Sequence, residues 1–168
     1  MVRGVTMAYE YVLRRMAQFP PSEVTLLLES KTNPVPDRDD TWGTADVTLD
    51  VFLVLLEVVD YKNGRLLVEH KSNRQVLSYL AGRAHDTGWS HDRYAVTIVQ
   101  PNAEHEEGRV RTVEVSREEL LAFVDKHRAA AEKADEAADV LADLCGGDIN
   151  EDIGAFLDPM PDGKVSWA

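Results

Sequence analysis

At 168 residues, 44% hydrophobic and 29% charged, the chain has the length and composition of one globular domain with a real core. The formal charge of −12 argues against a protein that coats nucleic acid by general electrostatics. The lone cysteine, Cys145, excludes an internal disulfide and any cysteine-only zinc or iron–sulfur site within one chain.

Met1 to Arg15 mixes Arg, Glu and Tyr and lacks the apolar centre of a signal peptide. The most apolar run, Val51 to Val59, is far shorter than the ~20 residues a bilayer span needs, and Glu57 interrupts it. A cytoplasmic protein without a membrane partner is expected.

In chain order, Val5, Ala8, Tyr9, Val12, Leu13 and Met16 recur at helical spacing, so a helix is expected from Met1 to Phe19, stopped by Pro20-Pro21. Val24 to Leu28 is a short apolar run and reads as a strand ending near Glu29. Asn33 to Asp40, rich in Pro and Asp, reads as a loop. A strand beginning near Trp42 carries Asp46, and the stretch from Val51 through Tyr61 reads as its neighbour. Asn63-Gly64 is a hairpin-type turn signal.

Leu67 to Ala84 reads as a helix with Val68, Val76, Leu77, Leu80 and Ala81 on its apolar face. Strands are expected at Tyr94–Val99, ended by Pro101, and at Val110–Val115, where apolar and polar residues alternate. Ser116-Arg117-Glu118-Glu119 has the pattern of a capping box and opens a long Ala-rich helix, with Gly146-Gly147 as its stop. Beyond Asp148 the chain is turn-rich, with a short helix expected near Ile153. The economical reading is a single α/β domain over 1–168, with a core of about 1–145 and a turn-rich tail over 146–168.

The chemistry-bearing residues lie in the first half. If Asp46 and Asp60 sit on adjacent antiparallel strands, their carboxylates converge at one end of a sheet. Mg²⁺ or Mn²⁺ is often held by one or two carboxylates plus waters and a substrate phosphate. Lys62 lies two residues after Asp60 and so shares its face on a strand, where an ammonium can hold water or steady charge on phosphorus. Gln75 and Tyr79, four apart, share a helical face. Glu69-His70-Lys71 is a competing acid-x-lysine triplet that reads otherwise as an exposed helix start, and it makes Lys71 and Arg74 candidates for phosphate contact. Trp42 could stack on a base or pack at a strand entry. His85, His91, His105 and His127 form no metal-binding motif and are expected at the surface, and Glu132 to Asp143 reads as a solvated acidic face.

Taken together, Gly43-Thr44-Ala45-Asp46, Asp60-Tyr61-Lys62, Gln75…Tyr79 and Ile98-Val99-Gln100-Pro101 resemble the RecB-like branch of the PD-(D/E)XK nuclease superfamily. Within it, they resemble a phage- and prophage-borne group of exonucleases. The resemblance covers about Met1 to Leu121. It implies a restriction-endonuclease-like mixed sheet flanked by helices. It also implies a divalent-metal-dependent nuclease that acts on DNA ends in phage or mobile-element recombination, alone, as a homo-oligomer or with a recombination partner. By that resemblance Asp46 and Asp60 bind the metal, Tyr61 offers it a backbone carbonyl, and Lys62 is the catalytic lysine. Glu29 matches a further acidic position at the metal site, while Gln75 and Tyr79 support substrate binding. Two features of such relatives are missing here: a Gly-x-x-x-His motif before the first strand and four cysteines around an iron–sulfur cluster, which this chain's cysteine cannot build. The alternative expectation is a nuclease fold without activity, serving as a DNA-binding or protein-interaction module.

Overall fold

The structure is a computed structural model and describes residues 2–145. The expectations for the 146–168 tail and the helix near Ile153 lie outside the described residues. The chain divides into two units, 1–126 and 127–168. The first holds the sheet and the helices around it; in the second, the described part is the stretch of helix from His127 to Cys145.

The elements run α1 (Val2–Met16), β1 (Val24–Thr32), β2 (Gly43–Val51), β3 (Leu55–Tyr61), α2 (Arg74–Asp86), β4 (Arg93–Val99), β5 (Val110–Val115) and α3 (Arg117–Cys145). The five strands form one mixed sheet in sequential order. β1, β2 and β3 make an antiparallel meander, β3 and β4 are parallel, and β5 returns antiparallel beside β4. The fold is therefore α/β, a mixed five-stranded sheet flanked by three helices.

The central pair explains the two most apolar runs. Parallel neighbours need a crossover, supplied by α2, and are covered on both faces, so they read as continuous hydrophobic stretches rather than alternating ones. β3 is buried from Leu55 to Asp60, and β4 from Tyr94 to Val99. On one face Leu56, Val58, Val96 and Ile98 pack with Val76, Leu80 and Ala84 of α2 and Leu120 of α3. On the other, Val59 and Val99 pack under Val12, Ala8 and Tyr11 of α1.

Several boundaries differ from those expected, for identifiable reasons. α1 turns Met7, Ala8, Tyr11 and Val12 to the sheet, and leaves Val5, Tyr9 and Leu13 outward and exposed. Its covered stripe is extended by Tyr11 and Arg15, which hydrogen-bond Glu57 of β3. β1 runs four residues past Leu28, because Ser30, Lys31 and Thr32 continue the ladder opposite Ala45, Thr44 and Gly43. Asn63-Gly64 is no hairpin: both edges of β3 are already paired, with β2 and β4, so the chain must leave the sheet before returning. The tight connection is instead at Phe52-Leu53, where Val54 N–H donates to Val51 O at 2.8 Å and Leu53 has φ 59°.

α2 starts seven residues later than the periodicity suggests. Asn73 is its N-cap, its Oδ1 accepting from Val76 N–H. The preceding loop is fixed by buried Gln100, which donates to Gly64 O and Leu66 O and accepts from Val68 N–H. Val68 thus reaches the core from a loop. The capping box at α3 forms as expected: Ser116 N–H donates to Glu119 Oε2 at 2.8 Å, and Glu119 N–H to Ser116 Oγ at 3.1 Å. Among the described residues, no helix is long and apolar enough to cross a membrane.

Candidate active site

The parallel pair ends at one edge of the sheet, and in open α/β sheets the carboxyl ends of parallel strands are where ligands collect. Asp60 lies at that end of β3. One step past the last β2–β3 pair, Val47↔Val59, the next residues on the two strands are Asp46 and Asp60. Here β2 turns on its axis. Ala45 packs on the α2 side with Leu56 and Val58, whereas Val47, which regular alternation would put on the same face, packs on the α1 side with Val12 and Val59. On β1, Glu29 falls between the pairs Leu28↔Val47 and Ser30↔Ala45 and has φ 49°, a left-handed conformation rare for a residue with a side chain.

That distortion lets Asp46 reach sideways in the sheet. Its Oδ2 accepts from Tyr61 N–H at 2.8 Å, taking the place of a ladder bond and leaving Oδ1 for other partners. Asp60 is 2% exposed. Its Oδ2 lies 3.1 Å from Lys62 Nζ, but among buried atoms it has no well-aligned hydrogen-bond donor. Burial pushes the Asp60 carboxyl above its ordinary range; Lys62 opposes this and Asp46 adds to it. Lys62 is held at both ends: its N–H donates to Val99 O at 2.9 Å, and Nζ donates to Gln75 Oε1 at 2.9 Å. Gln75 Nε2 then donates to Tyr79 OH at 2.8 Å. Tyr79 lies against Gly43, where a methyl group would come within 2.4 Å of Tyr79 Cε1. That contact gives the glycine of the Gly-Thr-Ala-Asp run a physical reason.

The residues singled out in the sequence thus divide. Asp46, Asp60, Tyr61, Lys62, Gln75 and Tyr79 are brought into one connected group. Glu29 is nearby along the ladder, but it is exposed and takes no part in that hydrogen-bonded chain. Arg74 is exposed at the first position of α2. Lys71 is engaged elsewhere, its Nζ 2.6 Å from Glu107 Oε1. The Trp42 ring carries Lys31 Nζ 4.4 Å from its centroid.

Of the histidines expected at the surface, His85 is exposed and His105 and His127 are half-buried, but His91 departs from that placement, as does His70 of the competing triplet. His91 is buried, with Nε2 2.8 Å from Asp50 Oδ1, and His70 is almost fully buried. Their triplet and loop settings gave no sign of this, because burial comes from chain segments distant in sequence. Also missed was Arg111. It is buried on β5 and donates to Val68 O and Gln100 Oε1, so it helps fix the loop that follows Lys62.

The profile of one family, described as "Protein of unknown function (DUF2800)", matches residues 1–148. The chain belongs to the DUF2800 family. No curated protein matches it. The DUF2800 match covers the whole sheet, α1, α2 and the described length of α3, so the connected group from Asp46 to Tyr79 lies within the family region.

Proposed function

We propose that this chain is a divalent-metal-dependent nuclease acting on DNA, of the PD-(D/E)XK type and its RecB-like branch, with exonuclease action on ends in a phage or mobile-element setting. The observation that carries this reading is the convergence of two carboxylates and a lysine at the carboxyl end of the central strand. The order of elements, a helix, three antiparallel strands, a crossover helix and a parallel fourth strand, is compatible with that fold.

The donor set fits Mg²⁺ or Mn²⁺. Both acids offer hard oxygen ligands, and the buried Asp60 Oδ2 lacks a well-aligned donor. Asp46, Asp60 and the Tyr61 carbonyl would hold the ion, with Glu29 the nearest further carboxylate along the ladder. Such an ion polarises a phosphate and acidifies a bound water. The chain's own residues do the rest. Lys62, steadied by Gln75, presents an ammonium beside Asp60, where it can orient an attacking water and offset charge developing on phosphorus. The Gln75–Tyr79 pair keeps that lysine from swinging into solvent.

A second reading, a nuclease fold retained for binding DNA or a protein, is favoured by two features. The formal charge is −12, and Glu107 already pairs with Lys71, one of the two cations expected to contact phosphate. The deciding experiment is degradation of end-labelled linear DNA with Mn²⁺, comparing this chain with Lys62→Ala. Cleavage that falls roughly 10²–10³-fold in the variant supports the nuclease reading. Equal cleavage by both proteins removes Lys62 from the mechanism. If neither protein cleaves while both bind DNA, the second reading stands.

A further inference from the structure

We propose that this chain carries a second cation site, for a zinc-type transition ion, built from Glu69, His70 and His105 and lying outside the Asp46–Asp60–Lys62 group. One ligand atom from each of these three residues can be chosen so that all lie within 4.8 Å of one another. The two imidazoles meet edge to face with ring centroids 5.8 Å apart.

The independent sign of a missing ligand is His70 itself. Its side chain is 1% exposed, yet neither ring nitrogen has an aligned hydrogen-bond partner. Carboxylate oxygens are close, with Glu69 Oε1 3.1 Å from Nδ1 and Glu107 Oε2 2.9 Å from Nε2. Neither contact has the alignment of a hydrogen bond. A buried polar side chain is ordinarily satisfied, and one with both nitrogens unmatched calls for an atom the protein does not supply. An ion near Nδ1 would be shared with Glu69 and His105. Glu107 would then serve the other nitrogen, the arrangement in which a metal-bound histidine gives its second N–H to a carboxylate.

The surroundings hold these groups in place. Glu69 Oε1 accepts from the His70 and Lys71 amides at 2.9 and 3.1 Å, which fixes its carboxylate over the loop. Glu107 is anchored by Lys71. His105 Nδ1 accepts from Glu107 N–H at 3.0 Å, a bond that ligation would have to give up. Two imidazoles and one carboxylate suit zinc and its neighbours, whereas Mg²⁺ prefers oxygen alone. The two candidate sites therefore differ in the metal they select. Bound here, the ion would staple the loop between β3 and α2 to the loop between β4 and β5. These are the segments that flank the carboxyl ends of the parallel strands.

The test is titration of chelator-treated full-length protein with Zn²⁺ by calorimetry, and with Co²⁺ by visible absorption. The proteins to compare are the wild type, Glu69→Gln, His105→Gln and Asp60→Asn. Glu69 is exposed and His105 half-buried, so both substitutions leave the core intact, which far-UV circular dichroism checks. One saturable Zn²⁺ per chain is expected, with Co²⁺ bands of a nitrogen-containing site. Affinity should fall at least ~10-fold in Glu69→Gln and His105→Gln and stay unchanged in Asp60→Asn. Absence of saturable binding overturns the proposal, as does binding that survives both loop variants or is lost only in Asp60→Asn.

Discussion

Glu57 and Asp60 stand three residues apart on the same strand, and both bury a carboxylate, on opposite faces of the sheet. Glu57 is closed in. Its Oε1 accepts from Tyr11 OH at 2.5 Å and Thr97 Oγ1 at 2.6 Å, and its Oε2 accepts from Arg15 Nε at 2.7 Å. Asp60 keeps one oxygen without an aligned donor, beside a lysine that Gln75 also holds. A carboxylate with both oxygens hydrogen-bonded serves the fold, here by tying α1 to the sheet. One with an unfilled oxygen at the carboxyl end of a parallel strand can take a ligand. The difference lies in what surrounds the two groups, since burial alone makes them look alike.

Arg15→Ala tests the closed site most severely. Removing one partner of a buried ion pair strands the other charge, at a cost of about 3 kcal/mol. A fall in Tm on the order of 10 °C is expected in thermal unfolding followed by circular dichroism. A change of a degree or less would mean that Glu57 is not the closed, structural member of the pair.

How much of this was legible in the sequence differs between the two groups. The Asp60 group was readable because its members cluster along the chain: Lys62 follows Asp60 by two residues at the end of β3, and Gln75 and Tyr79 lie four apart on one helix. The strands β4 and β5 and the α3 cap were readable for the same local reasons. The Glu57 network was not, since it joins residues 42, 46 and 40 positions away. A lone glutamate in an apolar run looks like an interruption until Tyr11 and Arg15 arrive from α1. The Phe52-Leu53 turn was hidden because two large apolar residues make it, without the usual Gly or Asn. His70 was hidden because its burial depends on the loop carrying His105 and Glu107.

Tyr11→Phe tests the closed site more gently. It deletes one donor to Glu57 and leaves the ring, so a loss of about 1.5 kcal/mol is expected, roughly half that of Arg15→Ala. Burial, and then Glu57, hold the Tyr11 phenol above its ordinary range, in keeping with a proton that stays on this donor at neutral pH. Chemical denaturation of the two variants and their double mutant would show non-additivity, because both act on one carboxylate.

Gly43→Ala probes the open site from behind. The added methyl meets Tyr79 Cε1 at 2.4 Å, and the ring must move. Overpacking of this kind costs about 1 kcal/mol where a side chain can shift aside. Its larger consequence is release of Gln75 from Tyr79, and so a looser Lys62. Under the nuclease reading, cleavage falls by more than the stability loss explains, whereas Tyr11→Phe leaves cleavage of folded protein unchanged.

The smallest expected effect separates the two carboxylates by sign. Asp60 has its folded pKa raised above the ordinary 3.8, chiefly by burial, so the folded state favours the protonated acid. The stability this contributes is complete below the unfolded pKa and is lost as pH rises through the folded value. At pH 7 the ionised group therefore opposes folding. Asp60→Asn in the presence of a chelator should raise Tm by a small margin at neutral pH, and the margin should shrink as pH falls toward 3.8. Glu57→Gln should lower Tm at neutral pH, because Arg15 loses its counter-charge. The same experiment repeated with Mn²⁺ supplies the contrast: an ion held by Asp60 raises the wild-type Tm and leaves Asp60→Asn unmoved. If Asp60→Asn instead lowers Tm as Glu57→Gln does, with no response to Mn²⁺ in either protein, Asp60 is a second structural carboxylate and the open site does not exist.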